Sequence, residues 1–149
     1  MPTDMNAATS APSNNAPHFD AVVIHHGIAY VSGQVSRTPD GIISGHLADD
    51  SDIDLAREAA RVSILRALAA LQTHLGDMGR IDRILTLKGF VNAAPTFTRH
   101  GEVIDAASEL LIARLGNKGR HARTSLGVSG IPSGGLVEIE LVAAVSESR

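Results

Sequence analysis

Residues 121–144 read HARTSLGVSGIPSGGLVEIELVAA and are the most informative part of the chain. It contains two candidate strands, with Arg123 near the start of the first and Glu138 near the start of the second. Between them lies IPSGG, whose proline and two glycines force a turn and leave the backbone close to anything bound there. An arginine can hold a carboxylate through two parallel hydrogen bonds, and a glutamate can hold a water or pass a proton. The pair therefore indicates a site for a small acid.

Composition and charge restrict the class of protein. The chain has 149 residues, the size of a single domain, which is enough to bury roughly two thirds of its unfolded surface. It has no cysteine, so disulfides, thiolate metal sites and cysteine nucleophiles are excluded. The formal net charge is −3 and there is no run of lysine or arginine, so nucleic acid is not an expected partner. Three Phe, one Tyr and no Trp offer few rings for stacking bases.

The N-terminal stretch over residues 1–17, MPTDMNAATSAPSNNAP, is rich in small polar residues, alanine and proline. It lacks the basic start and apolar core of a signal peptide, and no segment of the chain approaches the roughly 20 apolar residues of a membrane span. We therefore predict a disordered leader over residues 1–17, a single domain over residues 18–149 and a cytoplasmic location.

The hydrophobic pattern predicts an α+β fold with the element order β-β-(β)-α-β-α-β-β. Strands are predicted over residues 21–25, 28–32, 42–43, 81–91, 124–128 and 136–145, with Ser32-Gly33-Gln34 ending the second. Helices are predicted from a cap at Ser51 or Asp52 to Gly76, and from Pro95 or Thr96 to about Leu115. These elements form a two-layer sandwich in which both helices cover one face of a mixed sheet. The other face is bare, so we expect a second copy of the chain to cover it.

Some candidate site residues have a simpler structural alternative. Arg123 is a candidate carboxylate ligand, and the alternative is an ion pair with Glu138. Glu138 and Glu140 share one face of a strand because side chains repeat every two residues, and the sequence does not choose between them. Gly33 offers an unhindered N–H to a carboxylate or carbonyl oxygen, and the alternative is a simple bulge.

The seven histidines do not predict a metal site. None stands in H-x-x-x-H or H-E-x-x-H spacing, and His25 and His26 point to opposite faces of a strand. A P-loop, the G-x-G-x-x-G motif and the serine-nucleophile motif G-x-S-x-G are also absent from the sequence. We predict that the protein uses no metal and no cofactor.

The chain resembles the reactive-intermediate (imine) deaminase family, known as RidA or YjgF/YER057c/UK114 and often labelled endoribonuclease L-PSP. The resemblance covers about residues 21–145 and is most specific in the spacing R-x7-(I/L)-P-x5-E, from Arg123 through Pro132 to Glu138. Other matching features are the alanine-rich first helix, Ser32-Gly33-Gln34, Gly89-Phe90-Val91-Asn92, Ala122-Arg123 and Val137-Glu138-Ile139-Glu140. Residues 103–108 and 119–123 are similar to a longer, less characterised branch.

The resemblance implies a chorismate-mutase-like fold assembled as a homotrimer, with three clefts between subunits. It implies that Arg123 holds the carboxylate of a 2-imino or 2-aminoacrylate acid and that Glu138 positions the hydrolytic water. Backbone groups near Ser32 and Gly33 are expected to complete the pocket. Attack of water on the C=N carbon would then release ammonia and leave a 2-oxo acid.

Three pocket positions depart from the family pattern. Phe19 is the nearest match to a tyrosine that commonly lines the pocket, and it has no hydroxyl. Ser125 stands where cysteine is often found, and Asp105 stands where the second helix often presents an asparagine. If Asp105 faces Arg123, it partly neutralises the guanidinium and weakens the binding of a substrate carboxylate.

The sequence leaves two other functions open. A non-catalytic trimer that binds a small carboxylate, as a sensor or a buffer, is favoured by the altered pocket residues. RNA cleavage is suggested by the family label, but the acidic net charge and the scarcity of aromatic residues argue against it.

Overall fold

The structure is a computed structural model that describes residues 17–147. The predicted leader lies outside the described residues, apart from Pro17 at its end. Among the described residues, no helix is long and apolar enough to cross a membrane.

Residues 17–147 form seven strands, five of which make one mixed sheet with both helices packed against it. The strands are β1 (Val22–His25), β2 (Ile28–Val35), β3 (Arg37–Thr38), β4 (Gly41–Ile42), β5 (Ile81–Asn92), β6 (Ala122–Val128) and β7 (Val137–Val145), and the helices are α1 (Ile53–Leu75) and α2 (His100–Leu115). The sheet order is β1-β2-β7-β5-β6, with β5 and β6 parallel and the other neighbours antiparallel, while β3 and β4 form a separate small ribbon. The predicted two-layer α+β architecture is confirmed.

The first helix follows its sequence pattern closely but begins without the predicted side-chain cap. It ends at Gly76, which has the left-handed conformation expected there, with φ 79°. Asp52 at its other end makes no side-chain capping bond, because with ψ 21° it lacks the extended backbone that directs a capping carboxylate at the first turn. Small side chains on the buried face, such as Ala56, Ala60 and Ala67, let the helix approach the sheet closely.

Several predicted boundaries differ from the structure by one to a few residues; β6, for example, begins at Ala122 and not at residue 124. The second helix begins at His100, not at Pro95 or Thr96. Phe97 explains the later start of the helix. Its side chain is buried and its backbone N–H donates to the Ala94 carbonyl, so residues 94–97 form a turn that precedes the helix. Strand β2 does not end at Gln34 but continues one residue further, across an irregular register between Val31 and Gln34.

The two faces of the sheet differ sharply in burial. Along β7, the residues that face the helices are buried: Val137, Ile139, Leu141, Ala143 and Val145. The opposite face, which we call the bare face, exposes Val23, Tyr30 and Leu126 by 48%, 50% and 50%. An apolar face of this kind has the character of an interface.

A candidate substrate site divided between the two faces of the sheet

Arg123 lies on the helix-covered side of the sheet and is held by α2. Its Nη1 donates to Asp105 Oδ1 at 2.7 Å and to Ser108 Oγ at 3.1 Å. The strand register sets Arg123 beside Leu87, a fully buried residue of the same face. Asp105 therefore does face the guanidinium, and the ion pair of Arg123 is with Asp105 and not with Glu138.

Ser125 lies two residues further along β6, on the same side as Arg123. Its Oγ is buried and has no hydrogen-bond partner among the described residues. A buried hydroxyl without a partner costs about 1–3 kcal/mol, which a bound ligand could recover. We call Asp105, Arg123 and Ser125 the arginine group.

Glu138 lies on the bare face. It alternates along β7 with Val137 and Ile139, which are fully buried against the helices, so its side chain points away from them. The carboxyl group lies beside Gly33, where an added Cβ would come within 3.1 Å of Glu138 Oε2. The missing side chain at Gly33 is therefore what leaves room for this carboxyl group.

The charge environment distinguishes Glu138 from its neighbour Glu140. Glu140 forms an ion pair with Lys88 at 3.6 Å, whereas the Glu138 carboxyl has no ion pair or hydrogen bond among residues 17–147. Partial burial, together with the nearby Glu140 carboxylate, raises the pKa of Glu138 above its usual value. A raised pKa is typical of a carboxyl group that exchanges protons, so the structure favours Glu138 over Glu140.

Phe19 lies in the chain segment before β1, and Ser32 precedes Gly33, the residue beside the Glu138 carboxyl group. Ser32 Oγ donates to the Asp20 carbonyl at 2.6 Å, which fastens this segment to the irregular part of β2. Phe19 is 67% exposed at the next position. We call Ser32, Gly33 and Glu138 the glutamate group, and Phe19 precedes it in the chain without belonging to it.

The arginine group and the glutamate group do not meet within one chain. Strand β5 lies between β6, which carries Arg123, and β7, which carries Glu138. The register also directs the two side chains to opposite faces: Glu138 is paired with Phe90, whereas Arg123 is paired with Leu87. The sequence shows both residues on consecutive strands, but it does not show that a third strand separates them in the sheet.

A groove of about 280 Å³ runs between α2 and the start of β6, beside the arginine group. Its lining residues are Asp105, Ser108, Ile112, Arg120, His121 and Arg123. Sequence reasoning did not single out Ser108, which lies 2.9 Å from His121 Nε2. The helical spacing of three residues between Asp105 and Ser108 was the available signal, because it places both on one face of α2.

Replacing Glu138 by glutamine is expected to raise the free energy of unfolding at pH 7. The pKa of Glu138 is higher in the folded chain than in the unfolded chain, so ionisation above that pKa costs stability, and glutamine removes this cost. The gain should shrink at about pH 4, where the folded carboxyl is largely protonated. Urea unfolding at both pH values, with the exposed Glu147→Gln as control, measures the effect. A loss of stability at pH 7 would contradict it.

Comparison with known proteins agrees with this architecture. The family model described as Endoribonuclease L-PSP matches residues 8–145, and the chain belongs to this family, which has the chorismate-mutase-like fold. Protein TCP17 of Trypanosoma cruzi is 32% identical over 141 residues, covering 93% of this chain and 86% of that protein.

Two solved structures are similar over nearly the same length. Atu1372 from Agrobacterium tumefaciens, a protein with unknown function, is 33% identical with a TM-score of 0.85, covering 88% of this chain and 85% of its own. A candidate endoribonuclease from Shewanella oneidensis is 27% identical with a TM-score of 0.82, covering 87% and 86%.

Proposed function

We propose that the protein hydrolyses 2-imino or enamine acids to 2-oxo acids and ammonia, as a homotrimer with its active sites between subunits. The observation that carries the proposal is the Glu138 carboxyl group: it has no partner among the described residues, it lies beside the bare Gly33, and its pKa is raised. A carboxyl group in this state is suited to hold a water and accept its proton near neutral pH.

A cleft between copies follows from the separation of the two groups. Arg123 and Glu138 lie on opposite faces of one sheet, so one small substrate reaches both only if they come from different copies. The exposed apolar residues of the bare face, among them Tyr30 and Leu126, favour such an assembly. A ring of three copies contains three equivalent clefts, each with one arginine group and one glutamate group.

The chemistry divides between the two groups. Arg123 uses one nitrogen for Asp105 and Ser108, which leaves its other N–H groups for a substrate carboxylate, and Ser125 Oγ offers a further hydrogen bond. Glu138 takes a proton from the water as its oxygen bonds to the C=N carbon. Glu138 passes that proton to the nitrogen, which gives a tetrahedral carbinolamine. It then transfers the hydroxyl proton of the carbinolamine to the nitrogen as the C=O bond forms and the C–N bond breaks, so ammonia leaves and a 2-oxo acid remains.

The direct test is imine hydrolysis with the full chain. An amino-acid oxidase generates a 2-imino acid in place, and semicarbazide traps what is not hydrolysed. We expect the protein to lower the yield of semicarbazone for at least one of several amino acids. Unchanged trapping with every amino acid would contradict the deaminase proposal and leave the fold intact.

A second candidate function is the binding of a small carboxylate without turnover. The Asp105–Arg123 ion pair favours it, because Asp105 already occupies part of the guanidinium and weakens its hold on a substrate. Stabilisation of the protein by 2-oxo acids, with no imine hydrolysis, would support this function.

RNA cleavage has the family label in its favour, yet the net charge of −3 opposes binding to phosphates. The cytoplasmic location stays a prediction.

A further inference from the structure

A serine and a histidine lie within hydrogen-bond distance of each other in the groove between α2 and β6. Ser108 Oγ is 2.9 Å from His121 Nε2, and His121 Nδ1 is 2.6 Å from the Gly119 carbonyl oxygen. Neither side chain belongs to the residues proposed above for imine hydrolysis. In enzymes that catalyse acyl transfer, a serine nucleophile is activated by an imidazole base whose other nitrogen is held by a fixed hydrogen-bond acceptor, and these three groups have that arrangement.

The Gly119 carbonyl decides the tautomer of His121. A carbonyl oxygen only accepts hydrogen bonds, so Nδ1 must carry the proton of the neutral ring. Nε2 then has a free lone pair directed at Ser108, and the serine hydroxyl donates to it. His121 is therefore positioned to take the proton of Ser108, with a backbone carbonyl in the orienting role that a carboxylate often has.

The backbone around Gly119 makes this arrangement rigid. The turn over residues 116–119 packs so closely on α2 that a Cβ at Gly119 would lie 2.3 Å from the Leu111 carbonyl oxygen. The carbonyl that orients His121 is thus held directly against the helix that carries Ser108. A catalytic pair needs such fixed supports, because small misplacements lower the rate strongly.

We propose that Ser108 and His121 form the nucleophile and base of a second activity, the hydrolysis of small carboxylic esters in this groove. Ser108 Oγ attacks the ester carbonyl carbon while its proton passes to His121 Nε2. The ester C–O bond then breaks, and the leaving alcohol takes that proton. Water, deprotonated by His121, attacks the acyl-serine, the Ser108 ester bond breaks, and the proton returns to Ser108 as the acid leaves.

The charged groups of the groove define the preferred ester. Arg123 Nη1 lies 3.1 Å from Ser108 Oγ, so it is close enough to donate to the oxyanion that forms on the attacked carbonyl. Arg120 also lines the groove, while Asp105 is the single carboxylate among its lining residues. This excess of positive charge favours an acyl chain that carries its own carboxylate.

The experiment uses the full chain and two probes. The first probe is a fluorophosphonate, which labels an activated serine covalently, followed by peptide mass spectrometry. Labelling at Ser108 is the expected result, whereas no labelling, or labelling at other serines only, would overturn the proposal. Because this readout uses the unaltered protein, it holds even if a Ser108 variant fails to fold.

The second probe is mono-4-nitrophenyl succinate, with 4-nitrophenyl butyrate as the uncharged comparison. We expect saturable release of nitrophenolate, faster with the succinate, and a loss of at least about 100-fold in Ser108→Ala and in His121→Gln. Ser129→Ala, which changes an exposed serine outside the groove, should retain the rate. A wild-type rate in folded Ser108→Ala would overturn the proposal. Imine hydrolysis without ester hydrolysis would overturn this proposal alone.

Discussion

An equal mixture of Arg123→Ala and Glu138→Ala subunits, unfolded and refolded together, is expected to recover about one quarter of the wild-type imine hydrolysis. Each variant alone should retain at most about one hundredth of the wild-type activity. If each cleft takes Arg123 from one copy and Glu138 from the next, a cleft is complete when both neighbours happen to supply the intact residue. Random assembly gives each neighbour an even chance of doing so.

Each variant alone is expected to lose at least about 100-fold in kcat/KM, for different reasons. Without Arg123 the substrate carboxylate loses its cation, and Asp105 is left facing it with an uncompensated negative charge. Without Glu138 the attacking water loses its proton acceptor. Arg61→Ala is the matched control, since it removes an arginine whose ion pair with Glu58 lies on the exposed surface of α1.

The mixing experiment separates a shared site from a site within one chain. If Arg123 and Glu138 served the same substrate from a single copy, no mixture of the two variants would contain a complete site, and activity would stay absent. Sedimentation of the refolded material provides the second readout, because an assembled ring should have about three times the chain mass of 15.6 kDa. A monomer with full activity would also contradict the shared cleft.

The fold was predictable because the spacing of apolar residues along a helix or strand indicates which of its faces is buried. Alternation along β7 places Ile139 and Leu141 inside and Glu138 and Glu140 outside, as the structure shows. The alanine pattern of α1 likewise predicts a helix that packs closely on a sheet. Both patterns involve residues close together in the sequence, so they can be recognised without knowledge of the tertiary structure.

The division of the site was not predictable because it depends on sheet order. Strands β6 and β7 follow one another in the chain, yet β5 is inserted between them, and register then sends Arg123 and Glu138 to opposite faces. The contact of Ser108 with His121 has the same origin, since it requires α2 to lie against the start of β6. Periodicity predicts which face a residue occupies but not which element lies opposite.

Replacing Gly119 by alanine is expected to destabilise the protein by about 2–3 kcal/mol, which corresponds to a fall in Tm of roughly 4–12 °C. An added Cβ would lie 2.3 Å from the Leu111 carbonyl oxygen and 2.7 Å from its carbon, and backbone atoms inside a helix cannot move aside as the end of a flexible side chain can. Either the turn over residues 116–119 or the last part of α2 must shift.

The same shift should disturb the groove, because the Gly119 carbonyl orients His121 and His121 in turn contacts Ser108. Gly130→Ala is the matched control: no atom lies within 4 Å of its added Cβ, so its stability should stay within about 0.5 kcal/mol of the parent. Urea midpoints of the three proteins measure the difference. Equal midpoints for the two variants would show that the turn over residues 116–119 does not pack tightly against α2. The Gly119 carbonyl would then not hold His121 rigidly, which would weaken the case for catalysis by His121.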